Sequence, residues 1–212
     1  MPPSVDFLGN DKAGCCVWAT FLHYIQLAKL YSGQGLVVPT EDECLGPDGY
    51  GSTGYPAVDQ GTVVAGPGGA LEHWARTGVV CAGERNILSS VVTIDHRNLD
   101  AVARALSIGP VLAGALLREA DMQSDWLWLP GDSPVVGGHF FQIIGHTTLS
   151  TGKRYFDVES WDSEFRFSDD WALQALDEAY MVLNPAFFGP SGLDPAGLNM
   201  AAVEAAMESL RA

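Results

Sequence analysis

Asn10-Asp11-Lys12-Ala13-Gly14-Cys15-Cys16-Val17-Trp18-Ala19 is the stretch from which the rest of the chain is read. A polar, glycine-containing turn runs into an apolar segment, Val17 to Leu30. Val17, Phe21, Tyr24, Ile25 and Ala28 recur at helical spacing, with Gly33 and Gly35 beyond, so the spacing predicts a helix from Val17 to Tyr31. Cys16 then stands where the helix starts. The thiolate is the nucleophilic form of cysteine, and the positive end of a helix dipole favours it, as does a neighbouring imidazolium. Position in the sequence supplies the first of these, and only a fold supplies the second.

A histidine able to supply it stands far downstream, in Gly137-Gly138-His139-Phe140-Phe141-Gln142-Ile143-Ile144-Gly145. The apolar run after His139 reads as a strand, and the paired glycines let the backbone come close to a neighbouring surface. Arg154 to Ser160 reads as the next strand and ends in Glu159-Ser160-Trp161-Asp162. A thiol at a helix start, a histidine at a strand start and a polar residue beside a tryptophan are the parts of a Cys-His nucleophilic site.

Between and beyond these segments the pattern divides the chain. Leu45 to Gly69 is rich in Gly, Pro, Ser and Thr and reads as loop. Ala70 to Thr77 and Leu99 to Ser107 read as helices, the second capped by Asn98 and stopped by Gly109-Pro110. Short strands are predicted at 91–94, 111–117, 165–167 and 179–183, and Ser168 caps a short helix through Leu176. The expectation is an α+β protein: a single domain over 1–188, helical to about residue 110 and sheet from 111 to 188, then a tail, 189–212, with one helix.

Composition removes several classes of function. The net charge is -15, with only 11 Lys and Arg scattered singly, so no basic face exists to neutralise phosphates or an anionic membrane. No apolar run approaches the ~18 residues of a membrane span, and Met1 to Asp6 lacks the basic and apolar parts of a signal peptide. This predicts a cytoplasmic protein, or one packaged in a particle. Asp121, Asp125, Asp132, Asp169 and Asp170 lack calcium-loop spacing, and no zinc motif is present, so neither metal nor cofactor is expected. Cys15-Cys16 is no disulfide framework, whereas a Cys44–Cys81 bridge is a competing reading of the other two cysteines.

In this order the parts resemble the papain-like cysteine peptidases over most of the chain. The resemblance rests on Asn10 six residues before Cys16, Gly68-Gly69 before Ala70-Leu71 and Trp74, Gly109-Pro110-Val111, the Gly138-His139 strand, and Glu159-Ser160-Trp161-Asp162. It implies a helical lobe packed on an antiparallel sheet lobe, with a cleft between them. Cys16 would be the nucleophile, His139 the acid–base, Asn10 an oxyanion donor, Gly68 and Gly69 substrate-cleft residues, and Trp161 a shield over the histidine. Glu159 stands where the family places the asparagine that orients the histidine. Asp157 is the alternative orienter, because it shares the strand face of Glu159. Asn10 is shorter than the family's glutamine, and Val17 rather than Trp18 follows the cysteine.

Each residue has a structural alternative. Cys16 could be a buried thiol and Cys15 the nucleophile. His146 is a second candidate base, while His23 and His73, on helices, read as core histidines. Trp126-Leu127-Trp128-Leu129 reads either as buried packing or as a surface for a partner. The start of the chain and its Phe188-to-Pro195 tail resemble small papain-fold proteins encoded by bacteriophages. Two functions follow: a cysteine hydrolase acting on a peptide or protein substrate, or a non-catalytic module contacting phage structural or host proteins, in the host cytoplasm or in a virion.

Overall fold

The computed structural model describes residues 6–124 and 126–211 of the chain. The reading of Met1 to Val5, and Asp125 among the acidic residues considered for calcium, lie outside them. Two compact units divide the molecule, 1–91 with 182–205 and 92–181 with 206–212.

The first unit is built on α1, Cys16–Tyr31, which begins one residue before the predicted Val17 and ends at the predicted Tyr31. Every residue from Val17 to Lys29 is buried, because this helix is apolar nearly all round. Its polar members find partners inside the unit. The Tyr24 hydroxyl donates to the Val182 carbonyl at 2.9 Å, and Gln26 Nε2 donates to the Val37 carbonyl at 2.9 Å. Short helices α2 (Glu41–Leu45) and α3 (Ala70–Arg76) follow, then a hairpin of β1 (Val79–Cys81) and β2 (Glu84–Asn86). Trp74 of α3 packs on Phe21 and Tyr24 with ring centroids 4.3 and 5.8 Å away. α2 is absent from the sequence reading although its signal is present: Thr40 and Glu43 form a capping box, each side chain bonded to the other's backbone.

Strand β3 (Ser90–Thr93) carries the chain into the second unit. There follow α4 (Leu99–Ala105), β4 (Val111–Arg118), α5 (Glu119–Met122), β5 (Leu127–Trp128), β6 (Val135–Thr148), β7 (Arg154–Ser160), β8 (Ser163–Ser168), α6 (Asp169–Ala175) and β9 (Leu176–Leu183), and α7 (Met200–Glu208) ends the fold. The strands form one sheet in the order β3-β9-β4-β6-β7-β8-β5. Its pairings are antiparallel from β9 through β8, and β5 joins β8 in parallel. The α+β class and the antiparallel sheet agree with expectation.

Alternation along the strands sorts the sheet into two faces. One carries His139, Phe141, Phe156, Val158, Ser160, Phe165 and Phe167, joined by Trp128 of β5 and Trp171 of α6. Trp128 is stacked between Phe165 (5.1 Å) and Trp171 (5.0 Å) and meets Phe141 at 5.6 Å. Trp128 is therefore core packing, whereas Trp126 and Leu129 are exposed. The opposite face carries Gln142, Asp157, Glu159, Glu164 and Arg166.

Candidate active site

The expected site residues divide between the units: Asn10, Cys16, Gly68 and Gly69 in the first, His139, Glu159 and Trp161 in the second.

Cys16 is the first residue of α1, and the side chain of the N-cap residue, Cys15, does not cap that helix. The first backbone N–H groups of a helix have no intrahelical partner, so an uncapped start is suited to an anion. Cys15, the flanking residue, is fully buried, with its Sγ 3.9 Å from the Leu8 carbonyl. Of the four cysteines only Cys16 is not buried. None is in a disulfide, so the Cys44–Cys81 bridge does not form. Instead the Cys44 thiol shares a hydrogen bond with Cys15 and is held firmly protonated, while burial pushes the Cys81 thiol up to about 12. Asn10 is half-buried in the turn before the helix, its N–H bonded to the Phe7 carbonyl at 2.9 Å.

Gly69 opens α3, and Gly68 and Gly69 border a cavity of about 280 Å³ with Glu72, His73, Arg76 and Thr77. A side chain at Gly69 would come within 2.7 Å of the Val64 carbonyl, so glycine is required there. His73 packs edge-on against Trp18 at 5.2 Å, and its Nε2 has no partner among the described residues. It is thus not the satisfied core histidine expected. His23 is one: its Nε2 lies 3.0 Å from the Asp6 carbonyl, and burial pulls its pKa down to about 4.

His139 sits near the start of β6, buried at the end of the aromatic face. Its Nε2 is 2.5 Å from Ser160 Oγ. Trp161 lies against the imidazole, centroids 4.3 Å apart and planes 19° from parallel. Trp161 starts the two-residue turn between Ser160 and Ser163 with φ 52°, a left-handed conformation uncommon for a large side chain. That turn aims the indole at the histidine. Burial pulls the imidazole down to about 3, so His139 by itself is neutral. His146 is exposed, its ring 6.0 Å from Phe156.

Neither sequence candidate for orienting the histidine meets the imidazole. Register pairs Gln142 with Glu159, which places that carboxylate on the face opposite Phe141 and Ser160. Glu159 accepts a 2.9 Å hydrogen bond from Gln142 Nε2, and Asp157 pairs with Arg166 at 2.6 Å. Ser160, one residue out of phase with both, meets the imidazole. Alternation along Arg154–Ser160 could have separated Ser160 from Glu159, but which of the two shares a face with His139 depends on register.

Glu159 is 3% exposed, and burial pushes its pKa from 4.5 up to about 7, with Glu164 across the strands adding to the rise and the Gln142 bond opposing it. Its Oε1 and the Gln142 Oε1 both lack partners among the described residues. A carboxyl raised on folding binds its proton in the native state while the unfolded chain has lost it. Glu159 therefore costs no stability below about pH 4.5 and an increasing amount up to pH 7, amounting to roughly 2–3 kcal/mol. In Glu159→Gln the amide still accepts from Gln142 and can donate to its orphaned oxygen. The urea midpoint of this variant should match the wild type near pH 4.5 and exceed it at pH 7.5. A variant less stable than the wild type at pH 7.5 would refute this account of the pair.

No known family model matches the chain, and no curated protein matches it in sequence. Solved structures do match. The Carica candamarcensis cysteine protease CMS1MS2, in complex with E-64, aligns over 86% of this chain and 99% of its own, with 15% identity and a TM-score of 0.54. The fold is papain-like. The bromelain protease of Ananas comosus, also in complex with E-64, matches with the same coverages at 14% identity and TM-score 0.54. ProCathepsin B S9 from Trypanosoma congolense matches at 13% identity and TM-score 0.56, over 87% of this chain and 77% of its own. At these identities the papain-like likeness concerns the architecture, and the chemistry has to be argued from this chain's own residues.

Proposed function

We propose that this papain-like protein is a cysteine hydrolase that cleaves an amide bond in a peptide or protein, with Cys16 as nucleophile and His139 as its acid–base. The observation that carries the reading is the anchored histidine: Nε2 held on Ser160 and one ring face covered by Trp161. With Nε2–H donating to Ser160, Nδ1 is the nitrogen left to exchange a proton. Cys16 attacks the carbonyl as thiolate, and the C–N bond breaks as the imidazolium protonates the leaving amine. Water, deprotonated by the imidazole, then releases the acid and restores the thiol. The Cys16 N–H and the Asn10 amide are the proposed oxyanion donors, a type of contact worth about 10²–10³ in rate elsewhere. Gly68 and Gly69 would lie along the bound peptide, and Trp161 keeps water from the His139–Ser160 bond. Ser160 takes the orienting role given to Glu159 from the sequence.

The phage-like features at both ends of the chain support an origin in a bacteriophage, with a working place in the host cytoplasm or the virion. One observation favours a second reading, a non-catalytic papain-fold module: burial disfavours the imidazolium that would support a thiolate. Incubation with E-64, followed by peptide mapping, decides between them. The hydrolase reading predicts one adduct at Cys16, retained in Cys15→Ser and abolished in Cys16→Ser. Absence of any adduct, together with slow labelling by iodoacetamide, would support the module.

A further inference from the structure

The helix that presents Cys16 has no side-chain cap, so something else must fix the turn that leads into it. The structure supplies a clamp from the following loop. Asp59 Oδ1 accepts the Gly14 N–H at 2.9 Å and the Tyr50 hydroxyl at 2.6 Å. The same Tyr50 oxygen accepts the Gly61 N–H at 3.1 Å. Tyr50 is fully buried, so its hydroxyl is a fixed post, and the loop carrying Asp59 and Gly61 closes around it. A side chain at Gly14 would crowd this clamp: a Cβ there would lie 3.0 Å from Asp59 Oδ1 and 3.2 Å from the Gly61 nitrogen, so the loop would have to give by a few tenths of an ångström. A glycine two residues before the proposed nucleophile thus lets the loop backbone close on the turn. Tyr50 and Gly14 hold Asp59 as a carboxylate, below the usual range.

We propose that Asp59, braced by Tyr50, is a positioning residue for Cys16: it latches the loop at 59–61 to the Gly14 backbone and so sets the direction in which the uncapped helix presents its thiol. The inference rests on the reading of Cys16 as the nucleophile. Its electrostatic and geometric effects have opposite signs, which makes it testable. An anion near a thiol disfavours the thiolate, so loss of the Asp59 charge alone would ease thiolate formation. Loss of the latch would instead let the thiol drift from the helix N–H groups and make the thiolate harder to form.

The experiment is the rate of iodoacetamide addition to Cys16, mapped by peptide mass, against pH in the full chain. Asp59→Ala should slow the reaction at pH 6 by about tenfold, the equivalent of one hydrogen bond to a charged group, and move the midpoint of the profile upward. Asp59→Asn keeps an acceptor oxygen for Gly14 and Tyr50, so its rate at pH 6 should equal or exceed that of the wild type. Tyr50→Phe removes the post and should follow Asp59→Ala. Should Asp59→Ala fail to fold, a slow Tyr50→Phe beside a normal Asp59→Asn carries the same support. Asp59→Ala reacting like the wild type, or Asp59→Asn as slow as Asp59→Ala, overturns the latch alone. A wild-type Cys16 no more reactive at pH 6 than free cysteine ends the nucleophile reading, and the latch with it.

Discussion

His139→Ala is expected to slow alkylation of Cys16 at pH 6 by about two orders of magnitude. An unassisted thiol with a pKa near 8.5 is only about 0.3% thiolate at that pH, whereas a thiol sharing its proton with an imidazole is largely ionised. Burial opposes this pairing, because it holds His139 neutral down to about pH 3 when the ring stands alone. On the proposed reading, a thiolate beside the ring would reverse the balance, since the two groups would then titrate as a pair and each charge would stabilise the other. The rates of wild type and variant should converge above about pH 9, where any thiol ionises. Cys15, Cys44 and Cys81 are fully buried and should add little background. Equal rates at pH 6 would mean that His139 does not assist Cys16, and the non-catalytic module would stand. The sign matters for stability as well. A buried neutral histidine is protonated in the unfolded chain at low pH, so His23 costs stability progressively as pH falls below about 6.5, opposite to Glu159.

Trp128→Ala should be the most destabilising single change in the second unit, costing about 3–5 kcal/mol in urea unfolding. The indole is fully buried and stacks on Phe165 and Trp171, with edge contacts to Phe141 and Trp161. Its removal leaves a cavity in the face that ends at His139, so it should also loosen Trp161 over the imidazole. Trp128→Phe is the informative companion. The Trp128 Nε1–H is buried with no partner among the described residues. Deleting an unsatisfied donor recovers part of what the smaller ring loses, and the net cost should stay within about 1–2 kcal/mol. A Trp128→Ala protein unfolding at the wild-type midpoint would show that this cluster does not hold the sheet together.

Most of the longer elements were legible in the sequence. Helical spacing from Val17 onward placed α1, and the Asn98 and Ser168 caps placed α4 and α6. Arg154–Ser160 was bounded to the residue, because an alternating run between turns leaves little latitude. The shorter pieces were missed for lack of length: α2 and the β1–β2 hairpin are too brief to show a period, although Thr40 with Glu43 marks the first locally. The candidate residues Cys16 and Trp161 were also legible, since each lies at a boundary the sequence marks, a helix start and a turn, whereas the strand expected to start at His139 begins four residues earlier, at Val135.

Their partners belonged to the tertiary structure. Glu159 and Ser160 are neighbours in the chain and point to opposite faces of a sheet, and only the pairing of Gln142 with Glu159 decides which of them meets the histidine. Gly14 and Asp59 are 45 residues apart, and nothing local to either predicts their hydrogen bond. Local patterns fix where backbone segments begin, end and turn, because those are short-range steric and hydrogen-bonding choices. Strand register and loop closure are collective choices, made by burying one aromatic face of the sheet and folding one loop around the buried Tyr50, and they determined which polar atoms became neighbours.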